Sequence, residues 1–220
     1  MITLQKLISL LAPPHPNFHY NKKYLKNLVI ESTKLKYPIL DLGSGGRSLG
    51  EGVISLDIHK SGTNQIIADA AALPFKANSF KFVVSTAVLE HVYDLNAALS
   101  EIFRCCSPGG KVYIEVPFLQ TYHAHPQDFR RFTLKGLELI MSDYCKIDSG
   151  VCVGPFSVLA WYFRKLPNFL CKNKAVGLAF EFIAGWLTFW IKYFDAFWPG
   201  ARHAHQVASG LFFYGVKKPQ

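Results

Sequence analysis

The 220-residue sequence lacks several features that would narrow its function directly. Its five cysteines, Cys105, Cys106, Cys145, Cys152 and Cys171, contain no Cys-x-x-Cys pair. The N-terminal stretch has no basic start and no convincing cleavage site for export. We therefore expect free thiols in a reducing, cytoplasmic compartment. Repeats and low-complexity segments are also missing, and with half of its residues hydrophobic the chain can bury the core of one domain.

Acidic residues are scarce at both ends of the sequence. Residues 1–38 hold six lysines and one glutamate, and residues 155–220 hold eight basic and two acidic residues. Residues 39–154 hold ten basic and twelve acidic residues, so the net charge of +9 lies on the flanks. Such flanks suit an anionic membrane surface or a phosphorylated substrate, and equally an ordinary solvated surface. A nucleic-acid partner is not expected, because no RNA-binding module or basic–aromatic stacking platform is present.

Short apolar runs alternate with helical patterns along the chain. This order predicts a Rossmann-like α/β fold with a mostly parallel seven-stranded sheet and helices on both faces. Helices are predicted over 19–36, 96–106 and 133–144, the last capped by Thr133, and a turn over 107–110. Strands are predicted over 38–42, 52–58, 64–69, 80–86, 111–118, 146–153 and 210–218. Ligands of such sheets bind where the strands end, which is where Asp41, Asp57, Asp69 and Ser85 fall.

A glycine-rich loop follows the first predicted strand. It lacks the GxxxxGKS/T pattern, which excludes a P-loop for nucleoside triphosphates, and it departs from GxGxxG because Ser48 stands at the last position. Asp41, two positions before Gly43, disfavours a pyrophosphate but suits a ligand that carries an ammonium group. Asp57 ends the next strand, where it can accept hydrogen bonds from a ribose diol.

Four segments in order carry a family resemblance: "ILDLGSGG", "SLDIH", "ADAAALPFKANSFKFVVSTAVLEHV" and "ALSEIFRCCSPGGKVYIEVP". They resemble the class I S-adenosylmethionine-dependent methyltransferases of the small-molecule type, over residues 39–118. The resemblance implies S-adenosylmethionine as the cofactor. It also implies contacts from the methionine end through the ribose to the adenine edge, made by Asp41, Gly43, Ser44, Gly45, Asp57, Ile58, Asp69 and Ala70, with Ser85 lining the cofactor beside the fourth strand.

The chain departs from this family between its first two strands. Only "RSLGE" separates Gly46 from Gly52, barely one helical turn, where most members have a full helix. The sheet face that this helix would cover must be buried by another apolar element. The N-terminal lysine-rich helix and the C-terminal insert are the two candidates.

The segment "FLQTYHAHPQDFRRFT" (118–133) follows the fifth predicted strand. It resembles a stretch of small methyltransferases from cell-surface glycan and lipid pathways, where it would build the acceptor pocket. A hydroxyl acceptor benefits from a general base, for which the candidates are His123, His125 and Asp128. Candidate acceptor-binding residues are His91, Tyr122, Arg130 and Arg131.

Alternatives remain open for several of these residues. Asp128 and Arg131 could instead pair with each other and fix the segment 118–133. His91 could cap a helix or pack against its neighbours. The motif His-Ala-His occurs at 123–125 and again at 203–205. Four imidazoles could bind a metal if the segments met, but no matched carboxylate or cysteine ligands accompany them, and no metal is expected.

Residues 155–208 form a predicted helical, aromatic-rich insert within the single domain 1–220, with helices over 156–166 and 174–198. Glu181, Lys192 and Asp195 interrupt the second helix and leave only Phe182–Ile191 uncharged, about half of a bilayer span. Together with Gly185 and Thr188 they lie on one narrow face, and the rest of the helix is apolar. The insert could pack on the sheet, pair in a homodimer, or lie peripherally at the inner face of a membrane beside the basic flanks.

These observations predict an S-adenosylmethionine-dependent methyltransferase that acts on oxygen of a glycan, nucleotide-sugar or lipid-linked small-molecule acceptor. One alternative is a quinone or isoprenoid-ring methyltransferase, since "LPF", "NSF" and "VLEHV" are shared with that branch. Another is a non-catalytic subunit that keeps the cofactor fold and binds a partner through the insert.

Overall fold

The computed structural model describes residues 11–60, 62, 65–124, 127–197 and 201–219. One sheet of seven strands has the order β3-β2-β1-β4-β5-β7-β6. Strand β7 is antiparallel to β5 and β6, and the other neighbours are parallel. The strands are β1 (Ile39–Leu42), β2 (Val53–Asp57), β3 (Ile66–Ile67), β4 (Phe80–Thr86), β5 (Cys106–Pro117), β6 (Tyr144–Val153) and β7 (Gly210–Lys217). The predicted α/β fold with a mostly parallel seven-stranded sheet is confirmed.

Five α-helices are described: α1 (Lys22–Lys34), α2 (Leu95–Cys105), α3 (Leu134–Ile140), α4 (Pro155–Leu170) and α5 (Lys174–Thr188). A 3-10 helix, Phe189–Phe197, continues α5, and a second one spans Ala204–Gln206. Thr133 caps α3 as predicted, because its side chain accepts a hydrogen bond from the amide of Gly136.

Several predicted elements differ from the structure; among them, the helix predicted over 133–144 spans only Leu134–Ile140. The third strand is shorter than predicted and covers only Ile66–Ile67. The predicted turn at 107–110 is an irregular part of β5, where the register with β4 shifts between the pairs Phe80–Cys106 and Phe82–Lys111. Composition predicted the turn, but pairing with β4 keeps the segment in the sheet.

The two faces of the sheet are covered by different helices. On one face, β1 and β4 residues such as Leu40 and Val83 pack in the same cluster as Ile102 of α2 and Leu137 of α3. On the other face, Ile39 and other strand residues pack with Val29 of α1.

No helix lies between β1 and β2, where residues 43–52 form turns. Val29 of α1 and Leu49 of the shortened loop join the cluster that contains Ile39, Val53 and Phe82. The prediction that another apolar element covers this face is confirmed, and that element is the N-terminal helix.

Helices α4 and α5 with its 3-10 continuation form an antiparallel pair, which we call the hairpin (Pro155–Phe197). It packs against residues 11–20: the indole nitrogen of Trp161 donates to Oδ1 of Asn17 at 2.6 Å, and Lys192 Nζ donates to the carbonyl of His15. The hairpin begins directly after β6, which ends at the same edge of the sheet as β1, β4 and β5. Its base therefore lies on the side of the sheet where ligands bind.

Candidate functional site

A pocket of about 360 Å³ opens at the carboxyl ends of β1, β2 and β4. Its size is within the usual range for a small-molecule site. Eight of the sequence-predicted residues line it: Gly43, Ser44, Gly45, Asp57, Ile58, Asp69, Ala70 and His91. Residues that the sequence reasoning missed also line it, among them Arg47, His59, Thr86, Ala87, Val88 and Tyr93.

The glycine loop forms the floor of this pocket by turning back sharply over β2. The amides of Gly43 and Ser44 both donate to the carbonyl of Leu56, at 2.8 and 3.0 Å. Gly43 has a φ of +68°, and a Cβ there would lie 2.2 Å from a methyl of Val88. Gly45 has a φ of +58° with open space at its Cβ position, so a ligand can approach the backbone closely.

Asp57 and Asp69 follow two strands and hold their own loops. Asp57 accepts hydrogen bonds from the amides of Gly45 (2.7 Å) and His59 (3.0 Å). Asp69 accepts one from the amide of Ala71 at 2.9 Å. A carboxylate offers about four acceptor positions, so both groups keep capacity for hydroxyl or amino groups of a ligand.

Asp41 and Ser85 do not line the pocket. Both are fully buried, and Thr86 and Ala87 supply the wall after β4. Arg47 separates Asp41 from the pocket, donating to its carboxylate (Nε to Oδ2, 3.1 Å) and contacting the hydroxyl of Thr86. Burial raises the pKa of Asp41, and the hydrogen bonds from Arg47 offset part of this. The signal for Arg47 was its position, a lone cation in the shortened loop after an acidic strand end.

The residues present fit S-adenosylmethionine. Arg47 lines the pocket wall, where its guanidinium would meet the carboxylate of the methionine part, and Asp57 and Asp69 follow at the next two strand ends. Ser44 is 2% exposed and lines the pocket, and its hydroxyl has no hydrogen-bond partner among the described residues. A buried hydroxyl without a partner at a pocket wall is suited to bonding a ligand.

Beside the pocket, two histidines converge on one buried carboxylate. Oε1 of the fully buried Glu90 lies 3.5 Å from Nε2 of His123 and 3.8 Å from Nε2 of His91. Their other nitrogens face backbone carbonyls: Nδ1 of His123 lies 3.2 Å from that of Thr121, and Nδ1 of His91 contacts that of Gln127. The carboxylate of Glu90 raises the pKa of His123, against the opposing effect of burial.

Only one of these histidines lines the cofactor pocket. His91 contributes to its wall, whereas His123 packs edge-on against the ring of His91, with 5.2 Å between ring centres. The side chain of His123 is 24% exposed and remains accessible next to the pocket. Tyr122 is 65% exposed on the same segment, and His125 lies outside the described residues.

Asp128, Arg130 and Arg131 bond residues 118–124 and 127–133 to one another and to their neighbours. Arg131 donates to both carboxylate oxygens of Asp128, and the amide of His123 donates to Oδ2 at 2.9 Å. Burial raises the pKa of Asp128, but these hydrogen bonds outweigh it and lower the pKa to about 2. Arg130 donates to three backbone carbonyls within residues 89–93.

These contacts correct part of the predicted site. An aspartate with a pKa near 2 is a poor base at neutral pH, so Asp128 positions His123 instead of taking a proton. Arg130 and Arg131 bond the loop and its neighbours, not a free surface, so the geometry favours loop fixing over acceptor binding. This is the alternative that the sequence left open for Asp128 and Arg131.

Glu90, His91 and His123 could also hold a metal ion, because their ligand atoms lie within 4.8 Å of one another. Histidines that donate Nδ1–H to a carbonyl commonly ligate through Nε2. Among the described residues, His203 and His205 do not join this group. The two His-Ala-His motifs therefore do not build a joint site in the described part of the chain.

A seven-stranded sheet with an antiparallel seventh strand, a glycine loop at its carboxyl edge and acidic residues after successive strands give this protein the fold of the Rossmann-like methyltransferases. The lining of the pocket fits S-adenosylmethionine as the cofactor. Residues 48–114 match the model of the "Methyltransferase domain" family.

Demethylmenaquinone methyltransferase from Streptomyces avermitilis is 46% identical to this chain over 46 residues, which are 21% of this chain and 20% of that protein. The match thus spans about a fifth of that relative's length. The crystal structure of MccD protein shares the fold with a TM-score of 0.57 and 14% identity, covering 92% of this chain and 100% of that one. The structure of phosphoethanolamine N-methyltransferase 2 of Haemonchus contortus, solved with S-adenosylmethionine, shares the fold with a TM-score of 0.51 and 20% identity. The similarity covers 88% of this chain and 53% of that one.

Proposed function

We propose that this protein transfers a methyl group from S-adenosylmethionine to an oxygen of a glycan, nucleotide-sugar or lipid-linked acceptor. The observation that carries the proposal is the buried Glu90 carboxylate beside His123, next to the wall that His91 gives to the cofactor pocket. A hydroxyl acceptor must lose its proton as the new bond to carbon forms, and a histidine of raised pKa suits that task.

The pocket residues divide the binding between them. The bound cofactor supplies an electrophilic methyl group. Arg47 holds the carboxylate of its methionine part, Asp57 accepts hydrogen bonds from the ribose hydroxyls, and Asp69 with Ala70 meets the adenine edge. Since methyl transfer is an in-line displacement, the main contribution of these residues is alignment and the exclusion of water.

His123 acts as the base in its neutral form. The imidazole takes the acceptor proton, and the Glu90 carboxylate 3.5 Å from Nε2 stabilises the resulting imidazolium. Asp128 and Arg131 keep the loop in place, because Asp128 accepts from the backbone amide of His123.

A quinone ring is the second candidate acceptor. The local identity to demethylmenaquinone methyltransferase favours it, and a ring hydroxyl would use the same base before a ring carbon is methylated. The two candidates differ in the product, which carries an oxygen–methyl bond in one case and a carbon–methyl bond in the other.

The test uses the full chain with S-adenosylmethionine labelled in its methyl group. The protein and the labelled cofactor are incubated separately with glycan, nucleotide-sugar, lipid and quinone fractions. The labelled product is then analysed for the methylated atom. We expect label on an oxygen in the glycan, nucleotide-sugar or lipid fraction. Label on a ring carbon would support the quinone candidate instead. Loss of transfer after treatment with a chelator, restored by a divalent metal, would contradict His123 as the base and assign it to a metal site.

Calorimetry with Asp57→Ala tests the cofactor site independently. Losing hydrogen bonds from a charged group costs about 1.5–3 kcal/mol, so binding of S-adenosylmethionine should weaken by about tenfold or more. Asp143→Ala removes an exposed carboxylate and should bind like the wild type. Hydrogen exchange of the amides of Gly45 and His59, which donate to the two different carboxylate oxygens of Asp57, distinguishes a lost ligand contact from a disturbed loop. No binding by the wild type at high micromolar cofactor would favour the scaffold alternative.

A further inference from the structure

The hairpin has its polarity reversed relative to a helix pair of a water-soluble protein. Its charged residues Glu181, Lys192 and Asp195 are only 9, 7 and 1% exposed. Large apolar side chains point outward instead, with Phe169, Leu187 and Phe197 exposed by 83, 68 and 72%. Soluble proteins rarely expose contiguous apolar patches of this kind without a partner.

Each buried charge of the hairpin finds its partners inside the protein. Glu181 accepts from Lys165 at 2.7 Å and from Asn168 at 2.8 Å. Lys192 donates to the carbonyl of His15, and Asp195 accepts from two backbone amides at the start of α4. Because these groups are already bonded, moving the outer surface of the hairpin out of water leaves none of them unpaired.

The exposed apolar surface wraps around α5 and is not a flat stripe. Seven large apolar side chains of α5 are exposed: Val176, Leu178, Phe180, Phe182, Ile183, Trp186 and Leu187. At roughly 100° per residue they sweep about 200° of the helix circumference. A second protein surface covers one side of a helix, whereas lipid can surround all of this arc.

The charge that the hairpin does expose is cationic. Its only two acidic residues, Glu181 and Asp195, are buried, whereas Lys172 and Lys174 are exposed at the turn between the helices. Lys165 is 43% exposed along α4. Lysines beside an apolar face complement the anionic headgroups of a lipid bilayer.

We propose that the hairpin is a monotopic membrane anchor, embedded in one leaflet of an anionic bilayer. Lys174–Phe197 has the length and composition of a membrane span, and only 17% of its most apolar window is buried. However, α4 has 16 residues and is about 24 Å long, shorter than the ~30 Å hydrocarbon core. The lysines of the turn favour the headgroup region of the same leaflet.

This placement brings the membrane to the acceptor side of the protein. The hairpin begins at the end of β6, and its Trp161 packs edge-on against His15 with 5.3 Å between ring centres. The base of the hairpin therefore lies at the carboxyl edge of the sheet, where the cofactor pocket opens. The anchor itself does not depend on the acceptor or on methyl transfer.

The experiment is flotation of the full chain, synthesised in a cell-free reaction with vesicles of phosphatidylcholine with or without phosphatidylglycerol. The test variant is Phe180→Glu with Leu187→Glu, two positions 48 and 68% exposed on the hairpin. The matched control is Leu139→Glu with Ile147→Glu, 73 and 51% exposed elsewhere. Wild type and control should float with the anionic vesicles, and the floating fraction of the hairpin variant should fall by roughly tenfold.

Three results would overturn the anchor. One is wild-type protein that stays in the bottom fractions at low salt, and another is a hairpin variant that floats like the wild type. The third is a stable dimer in vesicle-free buffer that the hairpin variant abolishes, which would make this face an interface between two copies. Trypsin added outside the vesicles should cut at the turn after Lys172 or Lys174, and protection of the turn would contradict the single-leaflet placement.

Discussion

At the scale of single residues, the site depends on which charged groups are already paired. Arg47 donates hydrogen bonds to Asp41, and Arg131 donates them to Asp128. Asp41 is therefore not available to the cofactor, nor Asp128 as a general base, contrary to what the sequence pattern suggested. Glu90 is shared between two histidines. Its carboxylate raises the pKa of His123.

The pH dependence of methyl transfer tests this arrangement. Because Glu90 raises the pKa of His123, the base is protonated at low pH, and the rate should rise with pH through an inflection above the ordinary value of 6.5. Glu90→Gln removes the stabilising charge, so its inflection should move to lower pH. Glu138→Gln, which changes a carboxylate paired with Lys135 and Lys146, should leave the profile unchanged. Equal inflections in wild type and Glu90→Gln would exclude His123 as the titrating base.

At the scale of elements, α1 takes over the task of the helix that is missing between β1 and β2. Val29 is 3% exposed and packs in the cluster of Ile39, Val53 and Phe82. A helix that precedes the sheet in the chain can thus substitute for one inside the first crossover. What matters for stability is that the apolar face of the sheet is covered.

Substitutions on α1 should show whether its contribution to stability comes from covering the sheet or from helix propensity. Val29→Ala removes two buried methyl groups and should lower the free energy of unfolding by roughly 1–2 kcal/mol. Ile30→Ala on the same helix is 38% exposed and should change it much less. Chemical unfolding of both variants measures the difference. A Val29→Ala midpoint equal to that of Ile30→Ala would show that α1 does not carry the core there.

At the scale of the whole molecule, a buried carboxylate closes the hairpin at the point where it leaves the sheet. Asp195 accepts from the amides of Phe156 (2.8 Å) and Ser157 (2.9 Å), 39 and 38 residues away in sequence. It therefore caps the start of α4, whose own cap residue, Gly154, has no side chain to do so. A Cβ on Gly154 would lie 2.4 Å from the Asp195 carboxylate, so the glycine permits the approach.

Replacing Asp195 should loosen the hairpin. Asp195→Ala leaves two helix amides and the hydroxyl of Ser157 without their acceptor, at a cost of roughly 2–3 kcal/mol. Hydrogen exchange of the first turn of α4 should accelerate, while the amides of β4 and β5 keep their protection. Asp195→Asn retains one acceptor oxygen, so its exchange rate in the first turn of α4 should lie between those of the wild type and Asp195→Ala. Unchanged exchange in Asp195→Ala would contradict the capping role.

Sequence by itself determined the succession of strands and helices along the chain, the cofactor that the family resemblance implied, and seven of the nine predicted cofactor-binding residues, those that line the pocket. Strand periodicity and the glycine loop are local, and parallel strands bring their carboxyl ends to one edge, so Gly43, Asp57 and Asp69 could be placed together in advance. Only the tertiary structure decided the pairing of Arg47 with Asp41 and the convergence of Glu90 and His123. These residues meet through loops of variable path, and loop contacts leave no periodic signal.

The same division holds for the hairpin. Its sequence period put Glu181, Gly185, Thr188, Lys192 and Asp195 on one face, but a period does not say which face is turned inward. The tertiary structure decided that, because residues 11–20 and α4 supply partners for the charges of α5 and its 3-10 continuation, and nothing among the described residues covers the apolar side. Burying paired charges and exposing apolar surface is costly in water and favourable in a lipid environment.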